Sequence, residues 1–317
     1  MRHDESRPKA ARIAPGTFAA VIRAYQCGPT YAALAKSTQR LYNDVLRIAE
    51  REEALGGLGV TVIRPALVQA FLDGLSQTPG RQKIARTALS AVQKFALVRD
   101  LLPYPIMTGT YTVSADGGHE PWSFEHVQLA EGNARPDLAH TVTLAFHTGQ
   151  RGSDIVRMRW SDIEEQDNRQ GINVIQQKTG RRLWVPFTAE LSNAIAGWER
   201  RPPFFLILKP DGTPYTREHL SWHWNNERDT NRALKPIAEA GLVIHGLRAT
   251  AVVRARRAGA TVLEIASMFG MTEPTVARYS RLADQRDMAM AAVYRLDRTV
   301  GERTREQTKQ TSFKTTA

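Results

Sequence analysis

Apolar residues recur at helical spacing through most of the chain, with one short exception. From Pro15 to about Leu102 the period is helical throughout. Ser37 is placed to cap a helix in which Leu41, Val45 and Ile48 share a face. Pro65 suits a first helical turn, and Val68, Phe71, Leu72 and Leu75 follow it. After Gly80, a third helix turns Ile84, Leu89, Val92 and Phe95 inward and shows Arg81, Lys83, Arg86 and Lys94 on its other side. Residues 105–121 are rich in Pro, Gly, Thr and Ser, lack a period and read as a linker. Beyond them, helices are predicted near 123–131, 136–147, 217–228, 246–259, 262–270 and 273–282. The exception is a pair of strand-like runs, 172–176 and 182–186. They flank Lys178-Thr179-Gly180 and predict a β-hairpin. The expected architecture is mainly α with a small β-sheet or hairpin in the second half. An all-helical domain spans 14–104, the linker 105–121 and a second domain 122–300. A polar arm, 1–13, is expected to be disordered. A Thr-, Lys- and Gln-rich tail, 301–317, is either disordered or docks on a neighbouring protomer.

Charge narrows the choice of partner. Lys plus Arg is 43 against 32 Asp plus Glu, a net charge of +11. Such an excess favours a polyanion, and nucleic acid is the commonest soluble one. Arginines cluster at Arg254, Arg256 and Arg257, then at Arg278 and Arg281. The stripe of Arg81, Lys83 and Arg86 is by itself an ordinary solvated face; on so basic a chain it is also a candidate DNA-contacting face. The single cysteine, Cys27, excludes an intrachain disulfide and a Cys-rich zinc site. No apolar signal-peptide core is visible near Met1, and the aliphatic-aromatic run 204–208 is far too short to span a bilayer. The expectation is a cytoplasmic protein with no membrane partner.

Five residues supply candidate chemistry. Arg151 follows a glycine turn in Thr148-Gly149-Gln150-Arg151-Gly152-Ser153-Asp154. A guanidinium at a helix start adds a fixed fork of donors to the local amides, which suits a phosphate. Asp154, one turn later, either orients Arg151 or caps the helix; taken alone, the two could equally form a surface pair worth under ~1 kcal/mol. In His245-Gly246-Leu247-Arg248 the spacing of three puts His245 and Arg248 on one face. Lys178, at the hairpin tip, is placed to protonate a departing 5′ oxygen. Lys-Thr-Gly is also a plain turn, and the Ser-x-x-Lys and Ser-Asp-Asn that accompany it in serine β-lactamases are absent. Tyr279 lies among Arg278 and Arg281. A phenol is a poor nucleophile until a base or nearby cations help it ionise, and only position and company distinguish this tyrosine from the chain's other seven. Together these residues could attack a phosphodiester without metal or other cofactor. His219 and His223 have a zinc-compatible i, i+4 spacing, but Leu220 stands where a zincin needs glutamate.

The ordered set resembles the tyrosine recombinase, or phage integrase, family. The matching stretches are 148–154, 178–180, 244–250 and 269–279, and the helical first half is similar to that family's core-binding domain. The resemblance implies a two-domain clamp of an all-α core-binding domain and a tyrosine-recombinase-type catalytic domain. It implies site-specific recombination, in DNA integration, excision or replicon resolution, through a 3′-phosphotyrosyl link. Tyr279 would be the nucleophile, Arg151 and Arg248 the phosphate clamp, Lys178 the acid and His245 the helper in proton transfer. The implied partners are double-stranded DNA, three further copies of the chain on two DNA sites, and accessory DNA-bending proteins; the implied location is the bacterial nucleoid. Three departures stand out. Gly246 replaces the usual Asp, Met271 replaces a His or Trp and cannot donate a hydrogen bond, and the gap from Met271 to Tyr279 is one residue short. Two rivals share some features. Residues 264–282 also read as a helix-turn-helix, with Ala266, Gly270 and Val276 in its small, turn and buried positions, as in a DNA-binding regulator without catalysis. A type IB topoisomerase uses a similar clamp and tyrosine.

Overall fold

A computed structural model describes residues 13–113, 119–281, 289, 290 and 292–297. The arm up to residue 12 and the tail 301–317 lie outside these residues, as do 298–300 at the end of the expected second domain. The chain divides into two compact units, Met1–Asp116 and Gly117–Ala317.

The first unit is helical: α1 (Phe18–Gln26), α2 (Pro29–Ala32), α3 (Lys36–Ala49), α4 (Pro65–Asp73) and α5 (Pro79–Leu97). Phe18, Ile22, Leu46, Ile63, Leu72 and Leu89 form its buried core. Two sequence expectations need correction. Helix α3 starts one residue before Ser37, and Ala35 takes the N-cap position. On α5 the inward line runs through Gln82, Ala85, Ala88, Leu89, Val92 and Ala96, with Phe95 beside it, and leaves Ile84 only partly buried. Alanines give a weak periodic signal but let a helix pack closely. The start of the expected linker belongs to this unit. Ile106 and Met107 lie in its core, and both backbone amides donate to Gln93 Oε1 at 2.6 Å. Gln82 donates to the Leu72 carbonyl and accepts from the Val113 amide.

The second unit opens with α6 (Phe124–Asn133), α7 (Pro136–Thr148) and the four-residue α8 (Gly152–Ile155). An antiparallel sheet follows in the order β1 (Ile163–Gln166), β2 (Arg169–Ile175), β3 (Arg182–Pro186). Ile172 pairs with Ile163 on one side and Val185 on the other. Then come α9 (Ala189–Ala196), α10 (Arg217–Thr230), α11 (Lys235–Glu239), α12 (Gly246–Arg257), α13 (Val262–Phe269) and α14 (Glu273–Ser280). The β2–β3 hairpin is where the alternation predicts it. Strand β1 carries one apolar residue and was invisible to that pattern.

Helix α7 is central, buried from Leu138 to Thr148 apart from His140. It ends at Gly149, whose φ of 62° is left-handed. A Cβ on this residue would lie 2.9 Å from the Phe269 ring. Both the conformation and the close approach therefore require glycine. Helices α12, α13 and α14 share a smaller core of Val252, Ile265, Phe269, Met271, Val276 and Tyr279. Gly270 is also left-handed and turns the chain between α13 and α14. This segment thus has helix-turn-helix geometry, with Ala266 and Val276 buried.

One polar cluster joins three helices. His147 on α7 sets Nδ1 at 3.0 Å from both the Thr188 hydroxyl, which caps α9, and Arg254 Nη1 on α12. Arg254 also pairs with Glu190. Burial and then Arg254 push the His147 imidazole down to about 4, against the pull of Glu190. The ring is thus neutral, with Nδ1 as acceptor.

Replacing Gly149 by Ala should cost the second unit about 1–3 kcal/mol. Urea unfolding will measure this, and an unchanged midpoint would contradict the close packing against Phe269. The His147 cluster predicts acid sensitivity. The folded pKa lies below the unfolded value near 6.5, so this contribution is complete above pH ~6.5 and is lost as pH falls towards about 4. Glu131, pushed up chiefly by burial, acts in the opposite sense. The urea midpoint of His147→Gln should therefore fall less than wild type between pH 7 and 4.5; equal losses would exclude the buried neutral ring.

Candidate active site

Four of the five candidate residues converge in the second unit. Arg151 occupies the N-cap position of α8, just after the Gly149 turn. Its Nη1 lies 3.9 Å from Asp154 Oδ2, an ion pair too long to be a hydrogen bond. Asp154 is buried, and its Oδ1 accepts the Gln177 amide at 2.8 Å. It therefore holds the base of the hairpin as well as facing Arg151. Arg248, in the first turn of α12, is 2% exposed. Its Nη1 donates to the Gly149 carbonyl. Arg151 Nη1 and Arg248 Nη2 are buried and make no hydrogen bond.

The electrostatics are those of crowded cations. Burial, then repulsion from Arg151, pushes the Arg248 guanidinium down to about 10, while Tyr279 and Asp154 pull it up. Arg248 thus stays charged at neutral pH and lies within electrostatic reach of both Arg151 and Tyr279. His245 precedes α12. Burial, His119, Arg248, Arg151 and Arg217 push it down to about 4, so its imidazole is neutral. Tyr279 is seated by the shared core and lies one turn beyond Val276 on the same buried face of α14. The Arg278 guanidinium stands 5.0 Å from the centre of its ring, within cation–π range.

The other expected residues vary in placement. Lys178 is exposed at the hairpin tip, and its amine has no hydrogen bond or ion pair with the described residues. The Asp154–Gln177 bond brings its hairpin to the Arg151 helix. The Met271 side chain is buried in the small core, and its carbonyl accepts Arg181 Nη1 at 3.3 Å. Arg281 is exposed at the end of α14. Arg81 and Lys83 are exposed on α5 in the first unit. Arg86, half-buried, donates its Nε to the Thr110 carbonyl there at 3.1 Å.

Sequence reasoning missed the groups that lock these pieces together. Gln176 donates to Gln150 Oε1 at 2.8 Å and to the Phe269 carbonyl at 3.0 Å. Gln150 donates to the same carbonyl at 3.2 Å. Both side chains are buried. Two amides thus join the Arg151 loop, the Lys178 hairpin and the turn leading to Tyr279. The available signal was adjacency to the motif residues, but an uncharged glutamine reads as a spacer. Arg217 at the start of α10 and His119 were also missed.

An open groove of about 820 Å³ runs beside Asp154, Arg157, Gln177 and Arg217, but none of the five candidate catalytic residues lines it. His223 packs its ring against Tyr215 and Trp222. Among the described residues there is no group of three or more His, Cys, Asp or Glu that could hold a metal ion. No helix among them is long and apolar enough to cross a membrane.

Residues 128–286 match the model of the phage integrase family, just over half of the chain. The integrase of Mycobacterium phage L5 is 24% identical over 283 residues, which cover 81% of this chain and 74% of that protein. A lambda integrase tetramer bound to a Holliday junction matches with a TM-score of 0.69 at 18% identity, over 85% of this chain and 78% of that one. The transposon Tn1549 integrase in complex with a circular intermediate DNA matches with a TM-score of 0.70 at 14% identity, over 88% and 99%. The helix-rich fold with a small antiparallel sheet is that of the lambda integrase catalytic domain. With this fold and this family match, the chain belongs to the phage integrase family of tyrosine recombinases, whose members are DNA strand-transfer enzymes.

Proposed function

We propose that the protein is a site-specific recombinase that cuts and rejoins double-stranded DNA through a 3′-phosphotyrosyl intermediate on Tyr279. The observation that carries this reading is the pair of buried guanidinium nitrogens, Arg151 Nη1 and Arg248 Nη2, which make no hydrogen bond, with Arg248 within electrostatic reach of both Arg151 and Tyr279. Buried donors and like charges are costly unless an anion meets them. A phosphate accepts from both and relieves their repulsion. Its affinity grows as charge builds on the nonbridging oxygens in the transition state.

The placement suits the following roles. Tyr279 Oη attacks phosphorus, the phosphorus–O5′ bond breaks and the phosphate passes to the tyrosine. His245, neutral in the free protein, takes the phenolic proton. Lys178, exposed at the hairpin tip, gives a proton to the departing 5′ oxygen. A 5′ hydroxyl from another strand then attacks the phosphotyrosine and reverses the sequence. The bond energy stays in the covalent link, so the reaction requires no nucleotide hydrolysis. The net charge of +11 and the exposed Arg81 and Lys83 of the first unit suit phosphate contacts there, with that unit as core-binding domain. Strand exchange between two sites calls for four copies of the chain, as in the lambda integrase tetramer on a Holliday junction, and places the enzyme at the nucleoid. A regulator without catalysis leaves the buried guanidiniums without a role.

A nicked suicide duplex carrying a cognate site will test this. Wild type should form a covalent adduct, and Tyr279→Phe should bind DNA but form none. An adduct in Tyr279→Phe would reassign the nucleophile. Arg151→Ala and Arg248→Lys should each slow cleavage by about 10²- to 10³-fold; normal rates in both would remove the clamp. Affinity should fall steeply with salt as several phosphates are neutralised, and a flat response would exclude a DNA partner. Relaxation of plasmid by a monomer would favour the topoisomerase instead.

A further inference from the structure

We infer that residues 119–122 form a strap that positions His245, and that the ring of His119 is the part that fixes the imidazole. The contribution to cleavage rests on the function proposed above; the geometry does not.

The strap is fastened on both sides of the histidine. Trp122 donates its backbone amide to Thr250 Oγ1 at 2.7 Å and its indole Nε1 to the Val243 carbonyl at 3.0 Å. Thr250 in turn donates back to the Gly246 carbonyl at 3.2 Å. The Trp122 ring is anchored against Trp224, 5.2 Å between centres. Between these fastenings the strap lies directly on Gly246. A Cβ there would sit 2.3 Å from the Glu120 carbonyl oxygen and 3.1 Å from the Trp122 ring. No side chain fits unless the strap leaves. Family resemblance leads one to expect aspartate at this position, beside the histidine. This chain fills the space with strap backbone, so Gly246 is a requirement of the design and not a loss.

At the head of the strap, the His119 ring meets the His245 ring edge to face, with centres 5.0 Å apart and planes at 77°. Both line a cavity of about 210 Å³ with Gly152, Arg217, Ser221 and Asn225. Such an aromatic contact limits rotation of the imidazole. His245 is faced by His119 from the strap, Arg248 from its own helix, Arg151 from the start of α8 and Arg217 from the start of α10. All four oppose its protonation. His119 therefore orients the imidazole and helps keep it able to accept a proton.

The full-length protein tests this in three ways. In DNA-free protein, imidazole NMR assigned with His245→Ala should show His245 titrating at higher pH in His119→Phe than in wild type. In suicide-duplex cleavage, His119→Ala should be slower by roughly 10- to 100-fold. His119→Phe, which keeps the ring contact, should recover most of the rate. Gly246→Asp should lower both the urea midpoint and the cleavage rate. An unmoved His245 titration with wild-type cleavage in His119→Ala would overturn the proposal. So would Gly246→Asp cleaving as fast as wild type or faster, since the aspartate would then be a repair. If wild type itself forms no adduct, the phosphotyrosyl reading fails, while the NMR and urea measurements still decide the strap.

Discussion

The site depends on one buried carbonyl, that of Phe269, which accepts side-chain amides from Gln150 and Gln176. Each amide also serves a second loop, because Gln176 donates to Gln150 as well. Buried polar groups tolerate few alternative pairings. The three segments therefore have one way to meet. The turn before Tyr279 sits against the loop before Arg151 and the strand before Lys178. Arg248 completes the tie through the Gly149 carbonyl. Gly149 and Gly270, both left-handed, let the backbones come close enough for these bonds.

The same closeness creates an electrostatic cost. Burial, then His119, Arg248, Arg151 and Arg217, all oppose protonation of His245. A folded chain keeps such a cluster only where the rest of the structure holds it. Here that support comes from the amides, from Asp154 and from the small core of α12 to α14. On the proposed function, the cluster is then preorganised for the phosphate, with little reorganisation left on binding. Seating Tyr279 in that small core fixes the proposed nucleophile on the same frame.

The sequence showed these pieces unevenly, for physical reasons. The long amphipathic helices and the hairpin carry strong periods, and most of them stand close to where the pattern places them. The alanine-lined face of α5, strand β1 with its single Ile163, and the short α9 and α11 carry weak ones. The candidate residues Arg151, His245, Arg248 and Tyr279 were legible because charge and order single them out, and the fold brings them together. Gln150, Gln176 and His119 were not, because their partners lie far along the chain. The separation between Gln176 and Phe269, or His119 and His245, is set by tertiary packing that no local spacing encodes. Gly246 read only as a departure from the family for the same reason, since the strap that needs it comes from more than a hundred residues earlier.

The most direct test of the convergence is a crystal structure with a nicked duplex and orthovanadate, which adopts the five-coordinate geometry of phosphoryl transfer. The expected result is vanadate with Tyr279 Oη in an apical position and with Arg151 and Arg248 on its equatorial oxygens. Vanadate bound elsewhere, or held by those arginines with Tyr279 out of reach, would contradict it.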